Sequence, residues 1–273
     1  MKKVADLHVH TTASDGSYSP ERVLKISDKK GLEAVGIVDH DTVSGVESIW
    51  DSGVQSEVEV LPGIELSCEK GGVHFDLLGY FVDPKNPILS DKLSELQKNR
   101  LNRAKKMTEK LQRLEIDVSL DEALRISGGG AVGRPHFAWL LYTEGHVNSV
   151  GEAFSEYLGE GEPAYVEKER LGLEEAVSLI RESGGLSFLA HPSFGGLEVF
   201  EKIIDAGVDG IEVYHSMHSD DEVREYHELA MENNLLESGG SDSHGEYTPK
   251  TPIGESYIDY EAVKKMKEEL ENR

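Results

Sequence analysis

The sequence predicts an α/β protein with a largely parallel sheet and a helical insertion in its middle. Three observations predict it. Short apolar strands alternate with amphipathic helices from Val4 to Phe81. The alternation stops after Asp83-Pro84 and resumes near Ala164. Histidines and carboxylates recur where the predicted strands end, as expected when one rim of a sheet carries the chemistry.

The first strand, Val4-Ala5-Asp6-Leu7-His8-Val9-His10, alternates apolar and polar residues, so His8 and His10 share a face. Asp15 follows on a turn with Gly16, placed to fold back toward them. Ser19-Pro20-Glu21 is an N-cap with proline in the first helical turn, and that helix stops near Gly31. The buried strand Glu33 to Val38 runs into Asp39-His40-Asp41. A helix over 45–52 leads to a strand through Val58 and Val60, ending in Pro62-Gly63-Ile64-Glu65. Gly71-Gly72 turns the chain into the strand Val73 to Phe81, which carries His74.

From Leu93 onward, Leu96, Ala104, Met107, Leu111 and Leu114 fall at helical spacing, with Arg100 on the same face and Arg103 beside it. Ser119 and Glu122 form a capping box. Further helices are predicted over 135–142 and 151–158. Residues 85–164 thus read as a helical insertion subdomain, and 1–84 with 165–273 as the domain it interrupts. Beyond it, a helix over 173–182 precedes the strand Leu186 to Ala190, ending in His191. A helix over 197–206 precedes the strand Gly210 to Tyr214, with His215 and His218 after it. A helix over 220–233 precedes Leu235 to Ser238, which runs into Gly240-Ser241-Asp242-Ser243-His244.

Composition narrows the function. The 273 residues carry a net charge of −24, which argues against long nucleic acids, whose affinity rests on basic patches. A small anion is still acceptable, because bound divalent cations reverse the local sign. Cys68 is the only cysteine, so an internal disulfide and a thiolate zinc cluster are both excluded. No apolar run is long enough for a membrane span, and the N-terminus lacks the apolar stretch of a signal peptide, so a cytoplasmic location is expected.

His8, His10, His40, Glu65, His191, Asp242 and His244 all fall at predicted strand ends, with His74 on a neighbouring strand. Imidazole nitrogen and carboxylate oxygen suit zinc, manganese or iron, and a carboxylate can bridge two ions. With Asp15 included, the ligands are too many for one ion and enough for two or three. Such a centre binds phosphate, activates water and stabilises a leaving oxygen.

The ordered motifs Asp6-Leu7-His8-Val9-His10 with Asp15-Gly16, Val38-Asp39-His40-Asp41, Pro62-Gly63-Ile64-Glu65, Ala190-His191-Pro192 and Gly240-Ser241-Asp242-Ser243-His244 resemble those of the PHP (polymerase and histidinol phosphatase) family of metal-dependent phosphoesterases. The resemblance implies a distorted seven-stranded β/α barrel with a trinuclear centre. Carried over by position, His8, His10, Glu65 and Asp242 hold one ion. Glu65, His74 and His191 hold a second, and Asp15, His40 and His244 a third. Manganese is the first expectation, with zinc or iron as alternatives.

The short spacing from His40 to Glu65, the helical insertion and Val132-Gly133-Arg134-Pro135-His136 resemble the stand-alone branch of that family. That branch includes phosphatases of 3′,5′-bisphosphonucleotides and 5′ exonucleases of short RNA. Arg134 offers a bidentate fork for phosphate, and His136 could donate to the same group or to the leaving oxygen. Arg100, Arg103 and His218 are further candidates for substrate contact. The leaving proton is assigned to His191, His136 or bound water. The expected function is removal of the 3′-phosphate from a bisphosphonucleotide. Alternatives are 5′-to-3′ exonuclease action on short oligonucleotides, a histidinol-phosphate-type phosphatase, an amidohydrolase and a non-catalytic metal-binding module.

Overall fold

The computed structural model describes residues 3–192 and 197–273. Its strands are β1 (Val4–Val9), β2 (Ala34–Ile37), β3 (Glu59–Lys70), β4 (Val73–Tyr80), β5 (Leu171–Gly172), β6 (Leu186–Leu189), β7 (Gly210–His215), β8 (Leu236–Gly240) and β9 (Ile258–Asp259). The helices are α1 (Pro20–Lys30), α2 (Ser44–Ser52), α3 (Pro87–Arg113), α4 (Leu120–Ile126), α5 (Arg134–Thr143), α6 (Val150–Ala153), α7 (Leu173–Glu182), α8 (Leu197–Asp205), α9 (Asp220–Glu232) and α10 (Tyr260–Glu271).

The sheet order is β8-β7-β6-β4-β3-β2-β1-β9, with β5 beside β3. Its ends come together. Val9 bridges Ser243 in parallel, and the His10 amide donates to the Ser243 carbonyl at 3.0 Å. The circuit β1-β2-β3-β4-β6-β7-β8 is therefore a nearly closed barrel, with β9 inserted beside the start of β1. Gly240 permits the closure, because a Cβ there would lie 2.3 Å from the His8 nitrogen. Any other residue at that position would push β8 off β1.

The strands pair in parallel except for β4, antiparallel to both β3 and β6, and β9, antiparallel to β1. Glu65 therefore departs from its expected place at a strand end. β3 pairs with β2 over Glu59–Pro62 and continues to Lys70 against β4, so Glu65 sits mid-strand. It still faces the mouth, because β2 stops there and His40 bridges Glu65 from the loop beyond.

Inside the barrel, Ala5, Leu7, Leu61, Leu78, Tyr80, Leu186 and Phe188 pack without exposure, and the Tyr80 and Phe188 rings meet edge to face. Burial of each leucine or phenylalanine side chain among them contributes about 1.5–3 kcal/mol. The helices α3–α6 build a second core from Met107, Leu111, Phe137 and Leu141. Helix α3 joins the helical core to a third cluster: Leu89, Leu93 and Leu96 pack with residues of β3, β4 and α7, and Ala104 onward on the helical side. It starts at Pro87 under an Asn86 cap, earlier than the apolar spacing alone indicates. Among the described residues no helix is long and apolar enough to cross a membrane.

Candidate metal centre

The ends of β1, β2, β6 and β8 bring their polar side chains to one mouth. Two of the ligand loops are tied by a buried aspartate. Asp39 accepts from the Thr11 amide and hydroxyl, both at 2.8 Å, and from Ser14 Oγ at 2.6 Å. This fixes the turn that presents Asp15. Asp6 accepts from the Ser241 amide and hydroxyl and from the Gly254 amide at 2.7–2.9 Å, fixing the segment before Asp242. Burial pushes the Asp6 carboxyl up to about 6 against those hydrogen bonds.

The ligand atoms then converge. His10, Asp15, His40 and His244 form one set whose donor atoms lie within 4.8 Å of one another; His8, His10 and Asp242 form a second, and His8, Glu65 and His191 a third. His8 Nε2 and His10 Nε2 stand 3.2 Å apart, and Asp242 Oδ1 lies 3.4 and 3.2 Å from them. Glu65 joins the sets: its Oε2 lies 3.1 Å from His10 and 3.2 Å from His40, and its Oε1 lies 3.1 Å from His191. Asp41, His191 and Asp242 all have positive φ, at 54°, 27° and 53°. Left-handed backbone at non-glycine residues costs about 1–3 kcal/mol each and tends to gather at sites of function.

The electrostatics suit cation binding. Glu65, Asp15 and Asp242 are held well below the usual carboxylate range: burial opposes this, but the surrounding imidazoles outweigh it. Conversely, burial disfavours charge on His10, yet Asp242 and Glu65 raise it to about 10. His191 rises to about 9 through Glu65, again against burial. Buried carboxylates here collect protons on imidazoles, the role a divalent ion fills when bound. Among the described residues the buried Nδ1 atoms of His10 and His40 make no hydrogen bond. Nitrogen and carboxylate donors in these sets fit manganese, zinc or iron.

Comparison with known proteins agrees with this geometry. The profile of the PHP domain matches residues 6–271. The chain belongs to the PHP family. It is 32% identical over 251 residues to the 5′-3′ exoribonuclease Rnm of Escherichia coli K12, covering 88% of this chain and 85% of that one. It is 31% identical over 246 residues to the 3′,5′-nucleoside bisphosphate phosphatase of Chromobacterium violaceum, covering 88% and 86%. A Bifidobacterium adolescentis structure, provisionally named a metal-dependent phosphoesterase, superposes with a TM-score of 0.88 at 27% identity, covering 96% and 94%. A sulfate-bound Chromobacterium violaceum structure described as an amidohydrolase gives 0.85 at 29% identity, covering 98% and 96%.

In this PHP chain, Asp76 stands where His74 was expected. The β3–β4 register sets Glu65 opposite Leu78, Ser67 opposite Asp76 and Glu69 opposite His74, which leaves His74 farther along the hairpin. His40, Glu65 and Asp76 form a ligand set within 4.8 Å, and His74 belongs to none among the described residues. The signal in the sequence was the period of the strand: 74 and 76 share a face, and only pairing chooses between them.

Beside the ligands opens a cavity of about 360 Å³. Arg134, Lys168 and Arg170 line it with His74, His191 and Asp242. Sequence reasoning passed over Lys168 and Arg170, which lie in an irregular stretch without a motif. Lys168 donates to Ser67 Oγ, which in turn donates to Asp76 Oδ1 at 2.5 Å. Arg103 is crowded by this charge: burial, then Arg134 and Arg100, lower it to about 10.

Three expected substrate contacts lie elsewhere. Arg100 is buried in an ion pair, its Nε and Nη2 each 2.6 Å from Asp41 Oδ2. His136 is buried, accepts from the Gly133 amide at 2.9 Å and hydrogen-bonds the Ser14 backbone, which ties α5 to the turn before Asp15. His218 donates to the Val213 carbonyl at 2.9 Å and packs edge to face on Tyr226. Burial lowers the basicity of both His136 and His218. All three are held by structural partners, and none lines the cavity as described. Helical spacing put Arg100 on the apolar face; that it meets Asp41 there is a tertiary fact.

Proposed function

We propose that this chain is a metal-dependent phosphomonoesterase that removes the 3′-phosphate of a 3′,5′-bisphosphonucleotide. One observation carries the reading: a cationic wall of Arg134, Lys168 and Arg170 stands beside the converged ligands in a chain of net charge −24. A substrate with two phosphates uses both regions, one at the ligands and one against the wall. Membership of a phosphoesterase family and the named activities of the relatives support it.

His8, His10, Asp15, His40, Glu65, Asp76, His191, Asp242 and His244 would hold two or three divalent ions. Such ions supply Lewis acidity at the phosphoryl oxygens and lower the pKa of water. The protein's own groups do the rest. Arg134 presents a planar guanidinium, half-buried between Phe154 and Tyr165, whose ring centroids lie 5.9 and 5.6 Å away. Those rings limit its swing and aim its fork into the cavity, where bidentate contact with phosphate is strongest. Lys168 adds a point charge on the same side. His136 is engaged by backbone partners, and His191 Nε2, 3.1 Å from Glu65 Oε1, would face an ion, so the proton for the leaving oxygen falls to bound water.

A second reading, 5′-to-3′ trimming of short oligonucleotides, gains from another hollow of about 350 Å³ lined by Met217, Tyr247 and Pro249. It shares Asp242 with the first, so an ester at the ligands has room on both sides.

The test is phosphate release by the manganese-loaded protein from adenosine 3′,5′-bisphosphate, AMP, histidinol phosphate and a dinucleotide. Fastest release from the bisphosphate supports the proposal. Preferred cleavage of the dinucleotide moves the assignment to the second reading, and no release from any of the four by fully loaded protein overturns both.

A further inference from the structure

Strand β7 contributes Glu212, fully buried and outside every sequence motif, although one of its oxygens lies within 4.8 Å of His8 and His215 nitrogens. Its two carboxylate oxygens are divided between two ligand segments far apart in the chain. Oε1 lies 2.9 Å from His8 Nδ1. Oε2 accepts from the His191 amide, also at 2.9 Å. An ionised carboxylate only accepts, so His8 must carry its proton on Nδ1. That leaves His8 Nε2 as the nitrogen directed at His10, Asp242 and Glu65.

The second contact acts on the backbone. His191 has φ of 27°, and its amide is fixed by Glu212 at that strained turn. One side chain therefore sets the tautomer of one ligand and the approach of another. The register explains how it can. Glu212 pairs with Ser238 on β8, while Ile211 pairs with Leu189 on β6, so β7 lies between the strand leading to His191 and the strand beside β1.

We propose that Glu212 is a positioning residue for the metal centre, holding His8 in the Nδ1–H tautomer and His191 in its turn, and is not itself a ligand. Both oxygens already serve N–H donors, which is why it cannot also face an ion without releasing one of them. The inference rests on the metal-dependent reading above.

Glu212→Gln has nearly the same shape but supplies one acceptor in place of two. Either His8 or the His191 amide must lose its partner. The expected result is a 10–100-fold loss of manganese affinity in the variant, measured by competition with a chelating dye on metal-stripped protein, with the circular dichroism spectrum unchanged. Equal affinities for wild type and variant would overturn the proposal. ¹⁵N spectra of histidine-labelled, zinc-loaded wild type provide an independent check that does not depend on the variant folding. A His8 proton on Nδ1 is expected, and a proton on Nε2 would overturn the assignment. Wild-type protein that binds no manganese at all would instead sink the metal-dependent reading itself, and that outcome is visible before the variant is made.

Discussion

Replacing Arg100 separates a structural arginine from a substrate-binding one. Arg100 is 6% exposed and Asp41 3%, with guanidinium nitrogens 2.6 Å from Asp41 Oδ2. Arg100→Leu keeps most of the packing of the stem and leaves Asp41 buried without its closest cation. Breaking a buried pair from one side costs about 3–5 kcal/mol. Lys168 Nζ remains 3.6 Å from the same oxygen, which places the loss at the lower end, about 3 kcal/mol. For a chain of this size that corresponds to a fall of about 6–12 °C in Tm. Arg100→Leu combined with Asp41→Asn removes the stranded charge and should recover most of the loss. Urea unfolding of the three proteins in metal-free buffer measures it. A single variant within about 1 kcal/mol of wild type, together with a raised KM for the bisphosphate, would refute the structural assignment.

Other outcomes follow from the same geometry. Arg134→Ala is expected to raise KM for phosphates about tenfold or more while bound metal stays constant, since the guanidinium faces the cavity and not the ligands; kinetics alongside metal analysis checks this. Asp76→Ala should weaken metal binding, and His74→Ala should not, because only Asp76 joins His40 and Glu65; chelator competition on the two variants decides. Metal uptake should release protons, because His10 holds one up to about pH 10 and His191 up to about 9 in the metal-free protein. Affinity therefore rises with pH until those values are passed. The sign for stability is opposite. A raised imidazole pKa stabilises the metal-free fold fully below the unfolded value of about 6.5, and the benefit is lost as pH rises through about 10. Calorimetric titration in buffers of different ionisation enthalpy, with melting curves of stripped protein, reads both.

Much of this centre could be read from the chain. The polar residues at strand ends converge because parallel strands share one rim, and outside β3 the spacing of apolar residues already marked where these strands stop. The barrel closure and the PHP motifs agree. What escaped depends on pairing. Glu65 looks like a strand terminus because Pro62-Gly63 precedes it, yet β3 continues against β4. Asp76 and His74 are equivalent in sequence period and differ only in register. Lys168, Arg170 and Glu212 carry no motif, and their roles arise from partners distant in sequence. The two-residue strand β9 and helix α10 follow a stretch with no early signal; the Asp259 cap and the buried Val263 and Met266 mark the helix once its limits are known.

The most direct test of the account is the rate of phosphate release from adenosine 3′,5′-bisphosphate plotted against manganese bound per chain, starting from stripped protein. The account predicts no release without metal and a rate that rises with bound manganese until the ligand sets are filled. Full activity in the stripped protein, or filled sites with no hydrolysis, would contradict it.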